Sequence, residues 1–94
     1  MINKITIIGV GLIGGSLARA LKEKNLAKDV FGYGRDQARL EDAQKLNIID
    51  QFSTSIEEAI FGAEIIVIAT PVGTFQSILG EIEPLITENV VITD

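Results

Sequence analysis

Cysteine, histidine and tryptophan are absent from these 94 residues, and proline occurs only twice. Without cysteine there is no disulfide framework and no thiolate metal site; without histidine the commonest metal ligand and the commonest general base are gone. No metal site is expected. Eight basic residues stand against 13 acidic ones, a formal net charge of −5, and no stripe of Lys and Arg is present for a nucleic acid to follow. No apolar run reaches the roughly 18 to 20 residues that cross a bilayer, so no membrane span is expected. The N-terminus imitates a secretory signal, with an apolar stretch ahead of Ala18-Arg19-Ala20. Glycines at 9, 11, 14 and 15 and the charge of Arg19 spoil that imitation, and the composition fits a reducing, cytoplasmic setting. What remains is 47% hydrophobic, enough for one packed core spanning residues 1–94.

The most informative segment lies near the start. The apolar run Lys4-Ile5-Thr6-Ile7-Ile8 delivers Gly9-Val10-Gly11-Leu12-Ile13-Gly14, and a helical pattern begins at once. This is the layout of a dinucleotide site, in which each glycine has its own task. Gly9 allows the tight turn off the strand, Gly11 lets backbone approach a pyrophosphate, and Gly14 lets the helix pack closely on the sheet. The phosphates then face the free N–H groups and positive dipole end of that helix.

Further along, strands alternate with helices. Strands are expected at Lys4 to Ile8, Asp29 to Tyr33, Ile48 to Phe52, Ile65 to Ala69 and Val90 to Thr93. The intervening helices carry Ile13, Leu17, Ala20 and Leu21, then Leu40, Ala43 and Leu46 from about Gln37, then a short capping-box helix opened by Ser55-Ile56-Glu57-Glu58, then Phe75, Ile78, Leu79 and Ile82. Asn25 and Gly62 read as helix stops, and Pro84 as a break near Glu83. Arg39, Glu41, Asp42 and Lys45 read as a solvated helix face. The fold class is therefore α/β, a Rossmann-like doubly wound parallel sheet in three layers with strand order 3-2-1-4-5. Its ligand crevice belongs at the carboxyl ends of the first and fourth strands, where the order reverses.

The choice of dinucleotide depends on the end of the second strand. An acidic residue about twenty positions beyond the glycine turn receives the ribose hydroxyls of NAD. Here that position is Gly34, followed by Arg35 and Asp36. Arginine bonds a 2′-phosphate that a carboxylate repels, so the segment favours NADP over NAD. Three alternatives stay open: Asp36 as the ribose acceptor after a slip of register, Arg35 stacked on adenine, and Arg35 as a surface residue beside the cap of the next helix. Asp36 is also a good N-cap for the following helix, the use preferred for it here. Ala69, Thr70 and Pro71 form the second functional loop, with the Thr70 hydroxyl and local backbone set to line the nicotinamide riboside; the alternative is a plain strand terminator with proline at a helix entry.

Gly9 to Ala18, Gly32-Tyr33, the step from Leu46 to Asp50, Ala69-Thr70-Pro71-Val72 and the closing Ile92-Thr93-Asp94 together resemble the start of prephenate or arogenate dehydrogenases. The resemblance implies an NAD(P)-dependent enzyme that oxidatively decarboxylates a cyclohexadienyl acid toward tyrosine, with hydride transfer to the nicotinamide. It also implies cofactor contacts on Gly9 to Gly14, on the residues after the second strand and on Ala69 to Pro71. In that family a serine-lysine segment follows the Thr-Asp pair, a catalytic histidine lies further on, and a helical domain completes the substrate pocket and the homodimer. On this reading the chain is a truncated cofactor half that contains no catalytic residue and turns nothing over alone; its parent acts on the small molecule prephenate or arogenate. Two other readings compete: a different NAD(P)-dependent dehydrogenase or reductase with the same N-terminal fold, and a dinucleotide-sensing regulatory module, usually closed by a sixth strand.

Overall fold

Runs of β-branched residues give the sheet its strands. The computed structural model describes residues 1–70, 72–86 and 90–94, with the backbone alone at 12, 13 and 72. In chain order the elements are β1 (Ile2–Ile8), α1 (Leu12–Glu23), β2 (Ala27–Tyr33), α2 (Gln37–Lys45), β3 (Gln51–Ser53), α3 (Ile56–Ile60), β4 (Ile65–Ile68), α4 (Val72–Ile82), a 3-10 turn (Glu83–Leu85) and β5 (Val91–Thr93). Every strand pair is parallel, and the order is β3-β2-β1-β4-β5, as expected from the alternation of elements.

Both faces of the sheet are covered, and alternate residues of one strand serve different layers. Ile5 and Ile7 of β1 pack with Ala18 and Leu21 of α1 and with Leu40 and Ala43 of α2. Ile8 faces the other way, into a cluster with Ile66 and Ile68 of β4, Ile60 of α3, and Ile78 and Ile82 of α4. Thr6 shares that second face although it is polar and fully buried. Its Oγ1 donates to the Ala59 carbonyl at 2.6 Å, which ties the short α3 to the central strand.

Helix ends explain where the observed elements depart from the expected ones. Asn25 has φ 56 and Asn47 has φ 61. At each, the last turn closes with paired bonds, Leu26 N–H to Leu21 O at 3.0 Å and Ile48 N–H to Ala43 O at 2.8 Å, the Schellman arrangement that stops a helix. The second of these moves the third strand. Ile48 and Ile49, expected to begin it, belong to the turn that follows α2, and β3 starts only at Gln51. Ile49 is nevertheless 1% exposed, so its apolar character serves the core from a loop. The Ser55 capping box is half formed: Ser55 Oγ accepts from Glu58 N–H at 3.4 Å, while the Ser55 N–H donates to Ser53 Oγ at 2.9 Å instead of to the glutamate. Gly62, with φ 75, ends α3, and Pro84 sits in the 3-10 turn that ends α4.

The amino end of the sheet carries a charged group of its own. The Lys4 Nζ donates to the Phe61 carbonyl at 2.7 Å and lies 4.2 Å from the centre of the Phe31 ring. Asp29 is the register partner of Lys4. Burial, reinforced by the nearby Asp50 carboxylate, raises the Asp29 pKa, against the pull of Lys4 and Lys22. The consequence for stability has a definite sign. As pH rises from the ordinary carboxylate value of 3.8 through the raised folded value, the unfolded chain ionises first, and the fold loses stability. Asp29→Asn removes that loss. In urea titrations from about pH 3 to pH 7, the midpoint of the variant relative to the parent is expected to rise with pH; a relative midpoint that falls would refute the assignment.

Among the described residues no helix is long and apolar enough to cross a membrane. Nor do they contain a group of three or more His, Cys, Asp and Glu side chains able to hold a metal ion.

Candidate functional site

Strand register assembles the candidate site. Ile8 pairs with Tyr33 of β2 and with Ile68 of β4, so the next residue on each strand, Gly9, Gly34 and Ala69, leaves the carboxyl edge of the sheet side by side. The ladder runs a little past the strands, with Gly9 N–H to Tyr33 O at 2.9 Å and Ala69 N–H to Ile8 O at 2.8 Å. This edge is the place where the strand order reverses, the position open α/β sheets use for ligands.

The three glycines of the turn differ in what surrounds them. Gly9 has φ 92, and a side chain there would meet the Ala69 carbonyl oxygen at 3.0 Å. A Cβ on Gly14 would land on the Gly9 carbonyl oxygen, with Ile7 Cγ2 at 3.2 Å beyond it. Both residues are therefore demanded by the fold itself, Gly9 for its turn and Gly14 for the seating of α1 on the sheet, the roles assigned to them from sequence. Gly11 is different. Its φ is −104, and a Cβ there would have no neighbour within 4 Å. Among the described residues no neighbour requires glycine at this position; what separates Gly11 from the equally open Gly15 is its place at the mouth of α1, on the carboxyl edge where the strand order reverses.

Helix capping points the same way. The Asp36 Oδ1 caps α2 by accepting from Ala38 N–H at 3.0 Å and Arg39 N–H at 3.3 Å, and Ser55 caps α3. Helix α1 starts instead at Gly11, which has no side chain to cap it. The first N–H groups of α1 have no intrahelical partners, and the positive end of its dipole faces the cleft, which suits a phosphate.

A cleft of about 310 Å³ joins these parts, lined by Gly9, Val10 and Gly11 from the glycine turn, by Gly34, Arg35 and Asp36 after β2, and by Ala69 and Thr70 after β4. A second cleft of about 210 Å³ shares Gly9, Gly34, Arg35 and Thr70 with it and extends to Tyr33, Thr74 and Ile78. Of the residues singled out from sequence, Gly14 lies beneath the turn as packing, the side chains of Leu12 and Ile13 are outside the description, and Pro71 lies outside the described residues.

One residue was assigned elsewhere by the sequence reading. Arg39 is exposed, as its place on a solvated face implies, but it also lines the larger cleft with Arg35. Two of the chain's three arginines therefore meet in one cleft of an acidic protein. Arg35 lies just before the N-cap Asp36 and Arg39 in the first turn of α2, and that closeness along the chain was the signal available in the sequence.

The arrangement fits a dinucleotide on two structural grounds. Gly11 leaves room for backbone to approach a ligand. The Thr70 Oγ1 is buried without a hydrogen-bond partner among the described residues, an arrangement that costs about 1 to 3 kcal/mol until a partner arrives.

Comparison with known proteins agrees with this geometry. The family model for the prephenate dehydrogenase nucleotide-binding domain matches residues 17–94. That span begins after the glycine turn, so the match is independent of the turn. A cyclohexadienyl dehydrogenase of Zymomonas mobilis is 31% identical over 90 residues, covering 96% of this chain and 31% of that protein. A prephenate dehydrogenase of Bacillus subtilis is 36% identical over 72 residues, 77% of this chain and 19% of that protein. The crystal structure of prephenate dehydrogenase from A. aeolicus, in complex with hydroxyphenyl propionate and NAD+, superposes with a TM-score of 0.90 at 28% identity, covering all of this chain and 33% of that one. The chain thus spans a third or less of the length of these proteins. With the parallel sheet, the glycine turn at its reversal point and the match over residues 17–94, the chain belongs to the prephenate dehydrogenase family, in its nucleotide-binding domain.

Proposed function

We propose that this chain binds a nicotinamide dinucleotide, NADP in preference to NAD, along the carboxyl edge of its sheet. It does so as the cofactor-binding part of a cytoplasmic, homodimeric prephenate or arogenate dehydrogenase. The whole protein then oxidatively decarboxylates the cyclohexadienyl acid, and the bound nicotinamide supplies the hydride acceptor. The observation that carries this reading is the cleft in which the uncapped glycine turn, Gly11 included, faces Gly34 and Arg35.

Each part of the cleft has a task in that reading. The first-turn N–H groups of α1 hold the pyrophosphate, with Gly11 keeping side-chain carbon out of its way. Gly34 supplies no carboxylate at the position that would select NAD, and Arg35 offers the planar donor fork that suits a phosphate. Ala69 and Thr70 bound the site toward the nicotinamide riboside, with the Thr70 hydroxyl, which has no partner among the described residues, as its polar contact. Asp36 lines the cleft and commits its Oδ1 to capping α2.

Calorimetric titration of NADP+ and NAD+ into the chain and its Arg35→Ala variant tests the preference. NADP+ affinity is expected to fall roughly ten- to hundredfold, with NAD+ nearly unchanged. Equal losses for both would assign Arg35 to adenine stacking, and no loss would return it to the surface. A parent that binds NAD+ more tightly than NADP+ would overturn the preference itself.

A further inference from the structure

The residue Arg39 is placed against the ordinary electrostatics of a helix. It occupies the first turn of α2, where the macrodipole is positive and acidic residues are favoured. That turn contains no acid, whereas the first turn of α3 carries Glu57 and Glu58. Packing does not explain the arginine, since its side chain is 82% exposed. Yet it lines the larger cleft together with Arg35 and the glycine turn.

Its only ion pair among the described residues is instructive. Arg39 Nε lies 3.7 Å from Asp36 Oδ2, and the other Asp36 oxygen is committed to capping α2. At 3.7 Å this is an ion pair rather than a hydrogen bond, so the guanidinium N–H donors are left for another acceptor. It also sets a positive charge against a carboxylate that would otherwise repel an anion in the same cleft. We infer that Arg39 is a second specificity-determining residue, which together with Arg35 clamps the 2′-phosphate of NADP, and that Asp36 acts as its positioning residue.

This inference rests on the NADP reading above, and the two fail differently. The probes are NADP+ against NAD+, and adenosine 2′,5′-bisphosphate against 5′-AMP, each pair differing at the ribose 2′ position only by the phosphate. Titrated into the chain, Arg39→Ala is expected to weaken NADP+ and the bisphosphate roughly tenfold or more, and NAD+ and 5′-AMP less than about twofold. Arg39→Lys keeps the charge and is expected to recover part of the loss. Asp36→Asn retains a capping side chain but frees Arg39, so it is expected to alter NADP+ affinity while leaving NAD+ unchanged. Thermal midpoints of the variants close to that of the parent would confirm that binding, not folding, is being read. If the parent prefers NADP+ and Arg35→Ala abolishes the preference while Arg39→Ala leaves it intact, the clamp is wrong and the NADP reading stands. Equal losses of both cofactors in Arg39→Ala would also overturn it. A parent with no preference for NADP+ would remove both together.

Discussion

Replacing Gly14 by alanine is expected to destabilise the fold by about 3 kcal/mol or more, a large fraction of what a small domain possesses. The added methyl would occupy the position of the Gly9 carbonyl oxygen, with the Ala69 Cβ at 3.3 Å on another side. Backbone cannot rotate out of the way as a side chain can, so α1 must lift from the sheet or the turn must deform. The usual gain from putting alanine in a helix, about 1 kcal/mol, offsets only part of this. Gly15 provides the internal control. It is the next residue of the same helix, and a Cβ there meets nothing within 4 Å, so Gly15→Ala is expected to stabilise by roughly 0.5 to 1 kcal/mol. Urea unfolding of both variants reads the contrast directly. A Gly14→Ala variant as stable as the parent would mean that the helix does not seat on the turn as described.

Gly11→Val is expected to have the opposite profile, with little effect on folding and a large one on binding. No neighbour lies within 4 Å of a Cβ at Gly11, and its φ of −104 is outside the left-handed region. The fold should lose about 1 kcal/mol or less. A valine there puts branched carbon between the first-turn N–H groups and any pyrophosphate, and each charge-assisted bond lost costs about 1.5 to 3 kcal/mol. Loss of two such bonds corresponds to roughly a hundredfold or greater drop in NADP+ and NAD+ affinity alike. This symmetry between cofactors separates Gly11 from Arg35 and Arg39, whose variants discriminate. Calorimetry on the folded variant would settle it: affinity equal to that of the parent would place the pyrophosphate elsewhere.

The sheet and its order were readable because the strands are short apolar runs, covered on both faces and separated by one-sided helices. The glycine turn was readable because each of its positions has a separate steric task, and the structure assigns Gly9 and Gly14 the tasks expected of them. What escaped was local. Ile48 and Ile49 look like strand in sequence, but Asn47 in the left-handed region closes α2 and makes them a buried turn. Periodicity sees apolar character and does not see which bond a backbone N–H finds. Glu58 completes the capping pattern in sequence, yet the Ser55 N–H is taken by Ser53, two residues upstream. Arg39 escaped for a different reason. Its polar neighbours Glu41, Asp42 and Lys45 made one face look uniformly solvated, and only the tertiary placement of α2 beside the glycine turn shows that the first turn of that face borders a cleft. Thr70 was identified as a hydroxyl at the strand end, but that it is buried with no partner among the described residues is a property of packing that no sequence pattern encodes.

The central claim is that a nicotinamide dinucleotide lies along the carboxyl edge of the sheet. Backbone amide shifts recorded during titration of NADP+ into the isotopically labelled chain test it most directly. The account predicts saturable shifts concentrated at Gly9 to Gly14, Gly34 to Arg39 and Ala69 to Thr70, with the amino-edge residues Asn3, Lys4 and Glu64 unmoved. Saturable shifts centred on that amino edge, or no saturation by either NADP+ or NAD+ at millimolar concentration, would contradict it.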